Sequence, residues 1–254
     1  MIEDLIEIET PHGMMDAFVA HPELEGRYPA VIIFMDIWGL REELFDVARR
    51  IATVGYYSVV PNTYYRQGKV RFEFRNEKGE MRSLETLPGP IQEQIRTHMR
   101  NLSDAMVVND MRAILDFLSA EPTTGIAVGT LGYCMGGRHA LAVAGHYPDV
   151  VKATISLHGT RLVTDAADSV HLLAGKFRGE IYCGFAEHDA LAPPATVEKL
   201  AETIGRERGV KYDFIMHPGT VHGYSLPDRD IFDKTAANRD WERIFAMYRR
   251  QLHS

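Results

Sequence analysis

The 254-residue sequence lacks the features that mark several protein classes. No apolar run approaches the roughly 20 residues of a membrane-spanning helix, and the acidic start at 1–4 lacks the basic and then apolar layout of a signal peptide. The 28 basic residues are outnumbered by 35 acidic residues, and no basic stretch with interleaved aromatic residues suggests a nucleic-acid surface. We therefore expect a cytoplasmic protein without a membrane or nucleic-acid partner.

Cysteine is scarce, since Cys134 and Cys183 are the only two. Two cysteines are too few for a disulfide scaffold, and a reducing cytoplasm would keep both as thiols. The content of 45% hydrophobic and 25% charged residues is ordinary for a globular protein. Any cysteine chemistry is therefore expected to be that of a thiolate.

Strand and helix patterns alternate along the whole chain. The unbroken apolar run Ala30–Met35 is typical of a strand that is buried on both faces, and the alternation around Pro11–Gly13 predicts a hairpin. Further strands are expected at 56–60, 125–131, 151–157, 180–185 and 210–216, and helices at 44–51, 107–118, 136–145, 196–208 and 241–252. This order predicts one α/β domain over residues 1–254, with a doubly wound, mostly parallel sheet and helices on both faces.

Residues 68–92 interrupt this order. The segment is polar, rich in arginine and lysine, and ends near the sequence Leu87-Pro88-Gly89-Pro90. Because the alternation of strands and helices resumes unchanged afterwards, we interpret the segment as an insertion or cap within the domain and not as a linker.

The most informative stretch has the form Gly-x-Cys-x-Gly, from Gly132 through Cys134 to Gly136, between an apolar strand and a helix. A sharp turn there strains its central residue, and side chains in place of the glycines would collide. Such a turn exposes a nucleophile above the sheet, with the N–H of Met135 aimed at an oxyanion. The helix N-terminus also favours a thiolate. The alternative is a buried cysteine beside a glycine-rich turn.

A cysteine nucleophile needs a base and an acid that orients the base. Asp189 follows one predicted strand and His222 follows the next, and open α/β sheets place their sites at these carboxyl ends. In hydrolases with this turn the chain order is nucleophile, acid, histidine. Asp189 and His222 are therefore the candidate acid and base.

Other residues near these positions have competing interpretations. His188 is adjacent to Asp189 and could serve as the base instead. His217 is more typical of a turn, because its spacing from His222 across a Pro-Gly pair does not suit a metal-binding pair. Cys183 lies within an apolar strand, where a small buried hydrophobe is the simpler interpretation. No metal site is expected.

Several segments together resemble the dienelactone hydrolase family of the α/β-hydrolase superfamily. They are Gly132–Gly137, Asp189–Pro193, His222–Gly223, Ile37–Gly39 and Val60–Arg66. The resemblance covers nearly the whole chain, and residues 68–92 fit worst. It implies the α/β-hydrolase fold, a small-molecule ester or lactone as substrate, and no cofactor. The oligomeric state, a monomer or a homodimer, stays open.

The resemblance also implies roles for individual residues. Cys134 would be the nucleophile, His222 the base and Asp189 the residue that orients the base. The backbone N–H groups of Met135 and Ile37 would form the oxyanion hole.

Three further residues are candidates for tuning the thiol or binding the substrate: Asp36, Trp38 and Tyr64. In the family an acidic residue, typically glutamate, interacts with the resting thiol at the place of Asp36. The alternative for Asp36 is a polar strand-end residue that accepts hydrogen bonds from loop N–H groups.

One departure from the family concerns the substrate's charge. Relatives that cleave dienelactone hold its carboxylate with two arginines, where this chain has Leu226 and Gln92. A carboxylate left unpaired against an apolar wall is costly, so the sequence predicts a preference for neutral esters or lactones. Four other arginines could take over the role: Arg41, Arg96, Arg138 and Arg229.

The sequence therefore predicts a hydrolase that cleaves carboxylic esters or lactones with a Cys-His-Asp triad through a thioester acyl-enzyme. Two other classes stay open: a non-hydrolytic ligand-binding or thiol-sensing protein on the same fold, and an acyltransferase.

Overall fold

The computed structural model describes residues 1–72, 74–75, 81 and 83–253, without the side chain of residue 126. The strands are β1 (Ile2–Thr10), β2 (Gly13–His21), β3 (Tyr28–Phe34), β4 (Tyr57–Pro61), β5 (Thr124–Tyr133), β6 (Val151–Leu157), β7 (Gly179–His188) and β8 (Val210–Val221). The α-helices are α1 (Glu42–Ala52), α2 (Gly89–Arg100), α3 (Asp104–Ala120), α4 (Met135–His146), α5 (Pro194–Gly205) and α6 (Lys234–Leu252). Short 3-10 helices lie at Tyr65–Gln67, Leu84–Thr86 and Val170–Lys176.

The eight strands form one sheet in the order β1-β2-β4-β3-β5-β6-β7-β8. The predicted N-terminal hairpin is present, with Thr10 opposite Gly13 at its turn. β2 pairs antiparallel with β4, and the six strands from β4 to β8 run parallel. Helices α4 and α6 both pack against β5 and β6, and the sheet carries helices on both faces. The predicted fold class is confirmed.

Burial follows the sequence pattern. Residues 30–34 of β3 are fully buried, because helices cover both faces of the parallel strands. In α1 the predicted apolar stripe of Leu44, Val47, Ala48 and Ile51 is buried. None of the described helices is long and apolar enough to cross a membrane.

The predicted insertion at 68–92 lies partly outside the described residues. Of its described side chains, four are buried: Phe72, Phe74, Met81 and Leu87. The segment's predicted end falls within the first turn of α2, which begins at Gly89. Pro90 does not mark a loop here, because proline is well tolerated in the first turn of a helix, where its missing N–H would have no partner.

Candidate active site

Cys134 lies at the turn between β5 and α4, with φ 55° and ψ −117°. A Cβ atom on Gly132 would lie 1.9 Å from the carbonyl oxygen of Gly136, and one on Gly136 would lie 2.2 Å from the carbonyl oxygen of Phe34. Glycine is therefore required on both sides of the cysteine. The strand, sharp turn and helix expected from the glycine spacing are all present.

The two cysteines have different surroundings. Cys134 is 9% exposed and stands at the N-terminus of α4, where the helix dipole favours an anion. Its backbone N–H donates to Leu157 and its carbonyl accepts from Thr160, so the turn is fixed to β6 and the loop after it. Cys183 is fully buried in β7, and burial raises the pKa of its thiol to about 12. Cys134 is the thiol suited to chemistry.

Asp189 and His222 follow directly after β7 and β8, and their side chains meet. The imidazole Nδ1 of His222 lies 2.7 Å from Oδ2 of the buried Asp189. The other carboxylate oxygen of Asp189 accepts the N–H of Leu191 at 2.8 Å. The carboxyl group is thus fixed on both sides and sets the orientation of the ring.

The ionisation of His222 is linked to Cys134. Burial disfavours the charged imidazole, but the interaction with the charge of Cys134 and the hydrogen bond to Asp189 outweigh burial and raise the pKa of His222 to about 10. Among the described residues, Nε2 of His222 has no hydrogen bond of standard geometry. The charge of Cys134 raises the pKa of His222 more than the weak side-chain contact between the two residues does.

The competing histidines lie elsewhere. The side chain of His188 is 64% exposed and its Nε2 lies 3.6 Å from Glu187. His217 is buried, and its Nε2 lies 2.7 Å from Asp240. Each histidine thus faces a different carboxylate, and the described residues contain no group of three or more side chains that could hold a metal ion.

The loop after β3 brings Ile37 to the same edge of the sheet. Gly39 closes a tight turn there, with its N–H 3.2 Å from the carbonyl oxygen of Asp36 and a positive φ of 74°. In the part of the chain that the structure describes, the N–H groups of Ile37 and Met135 donate to no other backbone oxygen. Both donors thus stay available, as an oxyanion hole requires.

Asp36 is held in a buried ion pair with Arg41. The guanidinium donates to both carboxylate oxygens of Asp36, at 2.7 and 3.0 Å, and to Asp228 at 2.7 Å. Asp36 also accepts the N–H of Trp38 at 3.1 Å. A hydrogen bond donated by the thiol of Cys134 to Asp36 would have to compete with these partners. The importance of Asp228 was missed, because nothing in the sequence pairs it with a residue 187 positions away.

Aromatic side chains line the approach to this loop. Trp38 packs edge-on against Phe74, with ring centroids 5.4 Å apart. Tyr64 donates its hydroxyl proton to the carbonyl oxygen of Ile37 at 3.2 Å. Burial, together with the nearby charges of Asp36 and Cys134, raises the pKa of Tyr64. Phe74 brings the 68–92 segment into contact with the predicted site.

The residues expected to decide the preferred charge of the substrate differ in their burial and in their partners. Leu226 is fully buried, and the side-chain amide of Gln92 donates to backbone carbonyl oxygens. Of the four alternative arginines, Arg41 is in the ion pairs described above and Arg138 pairs with Asp104 at 2.9 Å.

Arg229 lies with its guanidinium 5.3 Å from the ring centroid of Trp38. Within the described ranges, its buried Nε has no hydrogen-bond partner and no carboxylate forms an ion pair with it. Among the residues that the structure describes, it is therefore a cation beside Gly223, the neighbour of His222, without a carboxylate partner.

Sequence analysis overlooked His158, which follows β6 as Asp189 and His222 follow their strands. Its ring centroid lies 5.0 Å from that of His222. The signal that could have found it is its place at a strand's carboxyl end.

The chain is similar to known proteins over nearly its whole length. The sequence model of the dienelactone hydrolase family matches residues 15–252. A protein of Methylorubrum extorquens provisionally named carboxymethylenebutenolidase is 27% identical over 98% of this chain and 81% of its own length. One from Synechocystis with the same name is 25% identical over 98% of this chain and 96% of its own.

Solved structures show the same fold. A provisionally named dienelactone hydrolase from Klebsiella pneumoniae superposes with a TM-score of 0.82 at 22% identity, covering 98% of both chains. A dienelactone hydrolase-like promiscuous phosphotriesterase from metagenomic libraries superposes with a TM-score of 0.75 at 18% identity, again over 98% of both chains. The chain therefore belongs to the dienelactone hydrolase family, as its sequence predicted, and it is an ester or lactone hydrolase of that family.

Proposed function

We propose that the protein hydrolyses carboxylic esters or lactones through a covalent thioester, with Cys134 as nucleophile, His222 as base and Asp189 as the residue that orients the base. The observation that carries the proposal is the 2.7 Å contact between His222 and Asp189, combined with the interaction between His222 and Cys134. These residues come from the ends of three strands, and the paired imidazole and cysteine form the arrangement that thiol nucleophiles need.

In the first half of the reaction, the thiolate of Cys134 attacks the carbonyl carbon. The N–H groups of Ile37 and Met135 bind the resulting oxyanion, and each such donor contributes about 3 kcal/mol in comparable sites. His222, held as imidazolium by Asp189, then gives its proton to the leaving alkoxide. The acyl group remains on Cys134 as a thioester.

In the second half, a water molecule hydrolyses the thioester. The now neutral His222 takes a proton from the attacking water, and the same two N–H groups bind the second oxyanion. Collapse of this intermediate releases the carboxylic acid and restores the thiolate and imidazolium of Cys134 and His222. In a lactone the alkoxide and the acid belong to one molecule.

The sequence and the geometry of the site favour substrates of different charge. Leu226 and Gln92 favour a neutral substrate, since neither offers a charge. Arg229 favours an anionic substituent, because its guanidinium lies on Trp38 beside the candidate oxyanion loop without a carboxylate partner among the described residues. We propose that Arg229 makes the site accept substrates with a carboxylate near the scissile bond.

A panel of activated esters and lactones of graded size tests the proposed function. Turnover should be lost in Cys134→Ala and retained in Cys183→Ala, because only Cys134 lies at the turn. Tight ligand binding without turnover by the wild-type protein would favour a binding or thiol-sensing role. Product esters formed with added alcohols would favour acyl transfer.

A further inference from the structure

His158 occupies a central place behind the candidate base. It follows β6, the strand between β5, which leads to Cys134, and β7, which leads to Asp189. Its backbone N–H donates to the carbonyl oxygen of Gly184 at 2.7 Å. The side chain is buried, and its ring stands nearly perpendicular to the ring of His222, at 74° and 5.0 Å between centroids.

Neighbouring side chains fix the ring of His158. Its Nε2 lies 2.9 Å from the hydroxyl oxygen of Ser225. The rings of Tyr133 and Tyr224 pack against it, with centroids at 5.9 and 5.6 Å. Tyr133 adjoins the candidate nucleophile and Tyr224 adjoins the loop of His222, so the ring of His158 bridges the two segments.

Tyr224 is in turn anchored to α6. Its hydroxyl donates to the fully buried carboxyl group of Asp240 at 2.7 Å. That group also accepts the hydroxyl of Tyr182 at 2.5 Å and bonds to Nε2 of His217 at 2.7 Å. Strands β7 and β8, the loop and helix α6 thus meet at Asp240, whose three hydrogen bonds hold the support behind His158 in place.

His158 has a strained backbone conformation and a buried nitrogen atom without a partner, and packing alone does not explain either feature. It is one of three non-glycine residues with positive φ among the described residues, at 38°. Its Nδ1 is buried without a hydrogen bond of standard geometry. Strain and unsatisfied polar atoms of this kind concentrate at functional sites. An asparagine would suit this backbone better, so the aromatic ring is kept here at a backbone cost.

The surroundings also keep the ring neutral. Burial lowers the pKa of His158 well below its usual value, and the positive charges of His222, Arg229 and Arg41 lower it further. The other titratable groups against the ring are the hydroxyls of Tyr133 and Tyr224. A neutral ring does not repel the imidazolium of His222.

We propose that His158 is a positioning residue for His222, whose ring it holds in the orientation that joins Asp189 to Cys134. The proposal rests on the proposed role of His222 as base. Because Asp189 fixes only one edge of the imidazole, the ring can still tilt about that hydrogen bond. The perpendicular ring of His158 blocks this tilt on one side, and Nε2 stays directed at the thiolate and the leaving group.

Two substitutions separate positioning from packing. His158→Asn suits the backbone but removes the ring, whereas His158→Phe keeps a ring and removes the nitrogen atoms. The matched control is His139→Asn, since His139 is an equally buried histidine whose ring packs on Phe34. For each variant we would measure kcat, KM, the melting temperature and the pH dependence of Cys134 alkylation by iodoacetamide.

We expect His158→Asn to lower kcat by about tenfold to a hundredfold with little change in KM, since small misplacements of catalytic groups have effects of this size. The acid limb of the alkylation profile should move to higher pH, because a misplaced imidazolium stabilises the thiolate less. His158→Phe should retain most of kcat and the wild-type profile.

Two results would overturn the proposal. One is that His158→Asn and His139→Asn show the same kcat and alkylation profile and differ only in melting temperature. The other is that His158→Phe loses as much activity as His158→Asn. His222→Gln serves as the reference variant. If His222→Gln stays active, the proposed assignment of the base is wrong. If His222→Gln is inactive and His158→Asn behaves like the wild type, only the proposed role of His158 is wrong.

Discussion

Arg41 holds Asp36 through two parallel hydrogen bonds of 2.7 and 3.0 Å while it reaches Asp228 with its Nε at 2.7 Å. Asp36 lies in the loop after β3 and directly precedes the candidate oxyanion donor Ile37. Asp228 precedes Arg229 in the segment that follows His222. The guanidinium is buried, and the two carboxylates raise its pKa against the opposing effect of burial. This ion-pair group therefore ties the oxyanion loop to the segment of the candidate base.

Arg41→Met tests this connection. Two buried carboxylates would lose their partner, and loss of one member of a buried pair costs about 3–5 kcal/mol of unfolding free energy. We expect a loss in this range from denaturant unfolding, together with a lower kcat. Arg138→Met is the control, since its pair with Asp104 is more exposed and should contribute about 1 kcal/mol or less. Equal losses in both variants would contradict the account.

The turn at Cys134 predicts a sharp contrast between two helical glycines. In Gly136→Ala the new Cβ would meet the carbonyl oxygen of Phe34 at 2.2 Å, and backbone atoms cannot move aside cheaply. In Gly205→Ala nothing lies within 4 Å of the new Cβ. Activity and melting temperature should collapse in Gly136→Ala. Gly205→Ala should keep full activity and gain up to about 1 kcal/mol of stability. An active, stable Gly136→Ala would mean that the turn is wrongly described.

The raised pKa of His222 gives a prediction for pH. Its imidazolium is stabilised in the folded state, so this stability is complete below the unfolded pKa of 6.5 and is lost as the pH rises through about 10. Cys134→Ser removes the charge that contributes most to the increase. We expect NMR titration to place the pKa of His222 well below 10 in that variant. An unchanged pKa would show that Cys134 and His222 do not interact.

Substrate charge is tested with matched neutral and carboxylated esters. Arg229→Gln should lower kcat/KM for the carboxylated ester by about tenfold or more, the effect of one charge-assisted hydrogen bond, and leave the neutral ester nearly unaffected. Arg138→Met again provides the control. If Arg229→Gln changes both substrates alike, Arg229 does not bind the carboxylate. A higher kcat/KM of the wild-type protein for the neutral ester would then support the preference predicted from Leu226 and Gln92.

Much of this arrangement could be predicted from residues that are close in sequence. The apolar run of β3, the stripe of α1 and the glycines around Cys134 are local patterns, because burial and backbone geometry act over a few residues. Asp189 and His222 could be paired because each follows a predicted strand. Their contact could be predicted from the topology, because the carboxyl ends of parallel strands lie at the same edge of a sheet.

The rest depends on contacts between distant parts of the chain. Nothing local to Arg41 indicates that it binds Asp228, and nothing local to His158 places it beside His222. Helix α2 was not predicted for a different reason: Pro88 and Pro90 were assigned to the insertion, although proline occurs at the N-terminus of a helix as readily as in a loop. Contacts between distant residues, and prolines that suit both a loop and a helix N-terminus, could thus not be predicted from the sequence.

The most direct test of the account is to trap the acyl-enzyme. The protein is mixed with an activated ester, quenched in acid within the first turnover, and its mass is measured intact and after digestion. We predict one acyl group on Cys134, removed by hydroxylamine as a thioester should be, present in Cys183→Ala and absent in Cys134→Ala. Turnover by Cys134→Ala, or an acyl group on any other residue along the productive pathway, would contradict the central claim.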